Sequence, residues 1–151
     1  MNCNGMVCYG LSMSTLELSE KYRDIAEKVI RDRLPELADV CIAYLASDQE
    51  KRSNGHTIFG ECRKVAPQYS WCCPYDFMIT VFEPNCVEYL FGDHEYETLI
   101  YHELLHVGVE ESEDGVKYRI RLHDIEEFEQ ILEAEGLHWQ RKNLKGADPR
   151  G

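Results

Sequence analysis

The stretch His102-Glu103-Leu104-Leu105-His106 sets two metal-ligating side chains and a carboxylate at a spacing with a mechanism behind it. Histidines four apart fall on one helical face, little more than a turn apart, where both imidazoles can reach one ion. In the H-E-x-x-H pattern the two His hold zinc and the Glu takes a proton from the attacking water. Spacing alone does not decide: with 6 His and 19 Glu in 151 residues, the pattern arises by chance on the order of 3% of the time. The surroundings have to decide.

A catalytic zinc normally takes three protein ligands and keeps one position for water, so a third ligand is needed. His123 is the best candidate, 17 residues after His106 and just past a turn signal, where a returning helix could lie against the motif helix. Glu126 and Glu127 are its rivals, because one branch of zinc peptidases takes a glutamate from a downstream helix. If His123 is the ligand, Glu127 could orient an imidazole through its N–H. Tyr101 and Tyr118 are candidate oxyanion donors. His56, His94 and His138 read as surface histidines. The seven cysteines (Cys3, Cys8, Cys41, Cys62, Cys72, Cys73, Cys86) are odd in number and contain no C-x-x-C pair, so free thiols are expected. Cys62, Cys72 and Cys73 match no common structural zinc spacing and are left out of the site.

The elements that must position these residues follow from periodicity. Tyr22, Ile25, Ala26, Val29 and Ile30 recur at helical spacing behind a cap at Ser19. Val40 to Ala46 and His56 to Val65 read as strands, the second with a bulge at Gly60. Asp76 to Phe82, rich in β-branched and aromatic residues, is the clearest strand, and Pro84 ends it. Asp93 can cap a helix running to about Val107, with Gly108 as its stop. Along it Tyr96, Leu99, Ile100, Leu104 and Val107 pack, while His102, Glu103 and His106 share a polar face. Asp114-Gly115 marks a turn into a short strand or extended arm. From His123, the spacing of Ile125, Phe128, Ile131 and Leu132 predicts a further helix.

A length of 151 residues at 44% hydrophobic content fits one domain, 1–151, with a leader over 1–15 and a tail over 140–151. The formal charge of -12 disfavours nucleic acid and anionic membrane as partners. No apolar run approaches the ~20 residues that span a bilayer, and the start lacks signal-peptide features. A cytoplasmic location, bacterial or host, is therefore expected.

An apolar strand, a W-x-x-P-Y-D-F entry into another strand (Trp71, Pro74 to Phe77), a helix bearing HELLH, a short acidic connection and then HDIEEF together resemble the phage-type metallopeptidases, relatives of the SprT-like zincins. The likeness runs from about Val40 to Trp139. It implies an α+β, zincin-like domain in which a short mixed sheet packs on an N-terminal helix, the HExxH helix and a C-terminal helix. It also implies His102, His106 and His123 as zinc ligands and Glu103 as general base in the hydrolysis of a protein or peptide. In zincins a strand beside the motif helix aligns the substrate as an added strand, and Asp76 to Phe82 is the candidate. Two other classes stay open: a zinc-stabilised module that grips a host protein without turnover, and a nucleic-acid-associated peptidase of the SprT-like kind. Glu103 favours an enzyme, since a purely structural metal site needs no carboxylate there.

Overall fold

The computed structural model describes residues 15–124 together with Gln130, Glu133 and Ala134. Its contacts divide the chain into two compact units, Met1–Arg121 and Leu122–Gly151, and the elements below belong to the first. Strand β1 (Leu16–Leu18) leads into helix α1 (Glu20–Arg33). Ser19 caps α1 as its position predicts, its Oγ accepting the N–H of Tyr22 at 3.2 Å. There follow β2 (Ile42–Ser47), the short strands β3 (Arg52–Ser53) and β4 (His56–Thr57), β5 (Gly60–Lys64) and β6 (Phe77–Phe82). Next come α2 (Glu83–Glu88), α3 (Asp93–Leu105), β7 (Val107–Ser112) and β8 (Gly115–Ile120).

Four strands form a mixed sheet in the order β1-β2-β6-β5, with β2 parallel to β6 and the edge strands antiparallel to their neighbours. Strands β3 and β4 pair as one small hairpin, β7 and β8 as another. Phe77, Ile79 and Val81 of β6 are fully buried, and they share one core with Tyr22 and Ala26 of α1 and Ile100 and Leu104 of α3. Among the described residues the fold is thus α+β, as expected, with α1 and α3 packed on the sheet. No described helix is long and apolar enough to cross a membrane.

Four expectations need correction. The substrate-aligning strand was expected at Asp76 to Phe82, but β6 is paired on both sides, so its backbone donors and acceptors are already used. Among the described residues the edge strand packed against α3 is β5. Gly60 makes no bulge: the register runs unbroken from Gly60 opposite Val81 to Lys64 opposite Phe77. Asp93 is the first residue of α3 rather than its cap; Gly92 takes that place, and its N–H is accepted by the Glu95 carboxylate at 3.1 Å. Lastly, α3 ends at Leu105, and Gly108 lies inside β7.

Gly108 has a different task from stopping a helix. A Cβ there would lie 2.8 Å from both Cγ and the backbone oxygen of Arg119, so only glycine lets β8 close on β7. The turn of this hairpin holds Glu113 and Asp114, and Gly115 takes the positive φ of 117° that the tight return requires. The helix expected from His123 onward, with Glu126 and Glu127, falls largely outside the described residues, although Gln130, Glu133 and Ala134 are helical.

Gly108→Val should cost about 1–3 kcal/mol, because the clash is with backbone that cannot swing aside. Urea denaturation measures this; an unchanged midpoint would show that the hairpin can spread without penalty.

Candidate metal centre

Helix α3 is set in rotation by Tyr96, Ile100 and Leu104, which recur every four residues and are buried. That rotation turns His102 outward, its side chain 50% exposed, and places His106 at the helix C-cap. Glu103, about 100° round the helix from His102, points instead to β5 and is only 4% exposed. The expected shared polar face is therefore split: the histidines look outward and the carboxylate lies inside. Gly60 makes room for it. A Cβ on Gly60 would sit 3.3 Å from Leu99 Cδ1 and 3.4 Å from Glu103 Cγ.

His106 is held by the chain that returns from β8. Its Nδ1 lies 2.7 Å from the Arg121 carbonyl oxygen. A carbonyl only accepts, so Nδ1 carries the proton and Nε2 of the neutral ring keeps a lone pair. The Arg121 N–H in turn donates to the His106 carbonyl at 2.7 Å, which locks the two residues side by side. Such a carbonyl partner behind a ligating imidazole is the usual means of fixing which nitrogen faces a metal.

The two Nε2 atoms of His102 and His106 are 3.3 Å apart. Two nitrogens each bound at about 2.0–2.1 Å to a tetrahedral zinc stand roughly 3.3–3.4 Å from one another. The pair thus already has the separation that the ion demands. His102, His106 and His123 each offer one ring nitrogen, and these atoms lie within 4.8 Å of one another. Among the described residues this is the one group of three or more His, Cys, Asp or Glu that could hold a metal. The C-terminal end of α3, with its partial negative charge, further favours a cation beside His102 and His106.

Glu103 Oε1 lies 4.0 Å from His102 Nε2. Burial first, and then the charge of Glu61, push its carboxyl up to about 7, and a cation beside it would act in the opposite sense. Glu61, though partly buried itself, is held below the usual carboxylate range by Lys51 and Arg63. A buried carboxylate near an outward-facing pair of imidazoles is placed to take a proton from a molecule bound there and to return it.

The remaining candidates lie elsewhere or have other partners. The Tyr101 ring sits 4.9 Å under the Arg33 guanidinium, and Tyr118 packs edge-on against Phe77 at 5.7 Å. His56 on β4 and His94 in the first turn of α3 are exposed; His138 and the rival ligands Glu126 and Glu127 lie outside the described residues. Cys41, Cys62, Cys72, Cys73 and Cys86 are free thiols. Burial and then the charge of Glu103 raise the Cys62 thiol to about 12, which disfavours its thiolate. Two contributors were missed by sequence reasoning. The Arg121 carbonyl carries no side-chain signal, whereas a glycine inside a strand, as Gly60 is, can mark close approach as well as a bulge.

A family model described as "Putative phage metallopeptidase" matches residues 14–145. No curated protein and no solved structure matches the chain. The matched span takes in α3 with its two histidines and Glu103, and His123 beyond it. On that match, which covers most of the sequence, the chain belongs to the phage metallopeptidase family.

Proposed function

We propose that this protein is a zinc-dependent peptidase of the zincin kind, in which His102, His106 and His123 hold the metal and Glu103 is the general base. The observation that carries this is the 3.3 Å separation of the His102 and His106 Nε2 atoms, with the other nitrogen of His106 committed to the Arg121 carbonyl. A zinc ion at these residues would supply a Lewis acid for the scissile carbonyl and would lower the pKa of water towards neutrality.

The chain's own residues do the rest. Glu103 accepts the proton of the attacking water and later gives it to the leaving amine, so no Ser or Cys nucleophile is required. Its burial against β5 keeps the carboxylate in one place and shields it from bulk water. His106 stays in one tautomer because the Arg121 carbonyl accepts its Nδ1 proton. Among the described residues β5 pairs with β6 on one side only, and its other edge can pair with an extended peptide as an added strand beside Glu103. The substrate is accordingly a protein or peptide segment able to adopt an extended conformation.

Glu103→Gln should keep the fold and the metal, since its amide is nearly isosteric and it is not a ligand. It should lose about 10² to 10⁴ in cleavage rate, because an amide cannot take the proton. The comparison needs purified proteins of equal zinc content acting on a casein digest and on host lysate. Equal cleavage by both would remove Glu103 from the chemistry, and equal capture of one partner with cleavage by neither would favour a binding module.

His123→Ala should weaken zinc binding by more than about a hundredfold, more than the loss of an outer partner of a ligand costs. Competition with a chromogenic chelator measures it. Unchanged affinity in His123→Ala, with loss in Glu126→Ala or Glu127→Ala, would move the third ligand to a glutamate.

A further inference from the structure

A cavity of about 550 Å³ opens where β5 ends, between the segment that follows it and β8. Its wall is mainly apolar: Val65, Pro67 and Pro74 line it from the segment, Val116 and Tyr118 from β8. Lys117 also borders it but alternates with Val116 and Tyr118, so its side chain faces away, opposite Glu110 in the hairpin register. The charged groups left at the hollow are Lys64 and Asp76, one of each sign, and the Asp76 carboxylate already accepts the Cys41 N–H at 3.1 Å. Neither sign prevails there. Val116 is 53% exposed, and on the same segment as Pro67 and Pro74 Trp71 is 83% exposed. Large apolar surface thus stays open to solvent beside this hollow, which is a mark of a binding surface.

The hollow lies on the same face of the sheet as Glu103. A side chain at Gly60 would point at Leu99 and Glu103, and Gly60, Cys62 and Lys64 alternate along β5 onto that one face. Lys64 stands opposite Phe77 in the register, and the Tyr118 ring packs against Phe77 at 5.7 Å, which brings β8 to this face at the far end of the strand. The span from Gly60 to Lys64 is four residue steps, about 13 Å. In a strand added at the β5 edge, the residue beside Glu103 and the one four places along therefore project to the same face, the second of them at the hollow. Residues three and five places along point the other way.

We propose that this hollow is a specificity subsite for a large apolar side chain of an extended substrate, Phe or Leu, four places along from the residue that sits beside Glu103. The proposal rests on the peptidase reading above for its place in the substrate, but not for its binding test. Lys64 and Asp76 offset one another, so a charged side chain gains little by leaving water for the hollow, whereas an apolar one exchanges water for an apolar wall.

The test uses two fluorescein-labelled dodecapeptides of Ser and Thr, one with a single central Phe and the other with Ser in its place. Their binding to the zinc-loaded full chain carrying Glu103→Gln is followed by fluorescence polarisation; the two carry equal charge, so the protein's net charge of -12 does not discriminate between them. The Phe peptide should bind about fivefold or more tighter, as expected for a ring taken partly out of water. Val116→Asn, which makes the wall polar, and Val116→Lys, whose long side chain occupies the hollow, should each erase the preference, and Lys117→Ala should leave it intact. Val116 is exposed, so thermal melting should move little. Equal binding of the two peptides, or a Phe preference that survives both Val116 variants, would overturn the subsite whether or not the protein cleaves anything. Where the wild-type protein cuts the Phe peptide, the bond cleaved should lie at one fixed place about four residues from the Phe, and cuts scattered along the peptide would also overturn the subsite. Absence of cleavage with the Val116-dependent preference intact would instead count against the peptidase reading alone and leave the apolar site standing.

Discussion

The hydrogen-bonded pairing of His106 with Arg121 is the constraint on which the site depends. Helix α3 ends one residue before His106, and the chain must turn at once into β7, cross the two-residue turn and come back along β8 in a register that sets Arg121 opposite the histidine. A slip of one residue would present the wrong face of the strand and leave Nδ1 of His106 without its acceptor. Gly108 guards that register, because a side chain there would collide with the Arg119 backbone. The candidate metal site on the helix is thus held in place by a hairpin that meets His106 through the backbone of Arg121.

A second constraint works from the other side of α3. Glu103 is buried beside β5, where desolvation and the neighbouring Glu61 both disfavour its charged form. A charged carboxylate in such a place is costly, and the cost is offset by protonation, hydrogen bonds or nearby positive charge. A cation at the histidines would supply the last of these. On the proposed reading, a bound metal would relieve that cost and so be coupled to the packing of α3 on the sheet. Gly60 eases the close packing: a Cβ there would lie 3.1 Å from the Thr80 carbonyl oxygen and 3.3 Å from Leu99 Cδ1, so those neighbours would have to give by a few tenths of an ångström.

Much of this was legible in the residue pattern, and the reasons differ from place to place. Helix α1 and strands β2 and β6 announce themselves because local periodicity and burial agree, and Ser19 caps where its chemistry says it should. The paired histidines are legible because helical geometry alone brings residues four apart together. The polar face was misjudged at Glu103: a carboxylate next to two outward histidines looks solvent-exposed in sequence, and only the approach of β5 buries it. The aligning strand was misplaced for a similar reason. Asp76 to Phe82 is the most strand-like segment, but the most apolar strand tends to be the central one, whereas a substrate needs an edge. Strand order is a non-local property, which the pattern of one segment does not encode. Gly108 shows the same limit, for a glycine after a helical run reads as a stop until the partner strand is known to press on it.

The most direct test is diffraction from zinc-soaked crystals of the full chain at wavelengths on either side of the zinc absorption edge. One anomalous peak is expected at about 2.0–2.1 Å from Nε2 of His102 and of His106 and from a ring nitrogen of His123, with His106 Nδ1 still bonded to the Arg121 carbonyl. A peak coordinated by cysteine sulfurs instead, or crystals in which the His102 and His106 nitrogens have swung apart and hold no metal, would contradict the assignment of a histidine zinc centre to this fold.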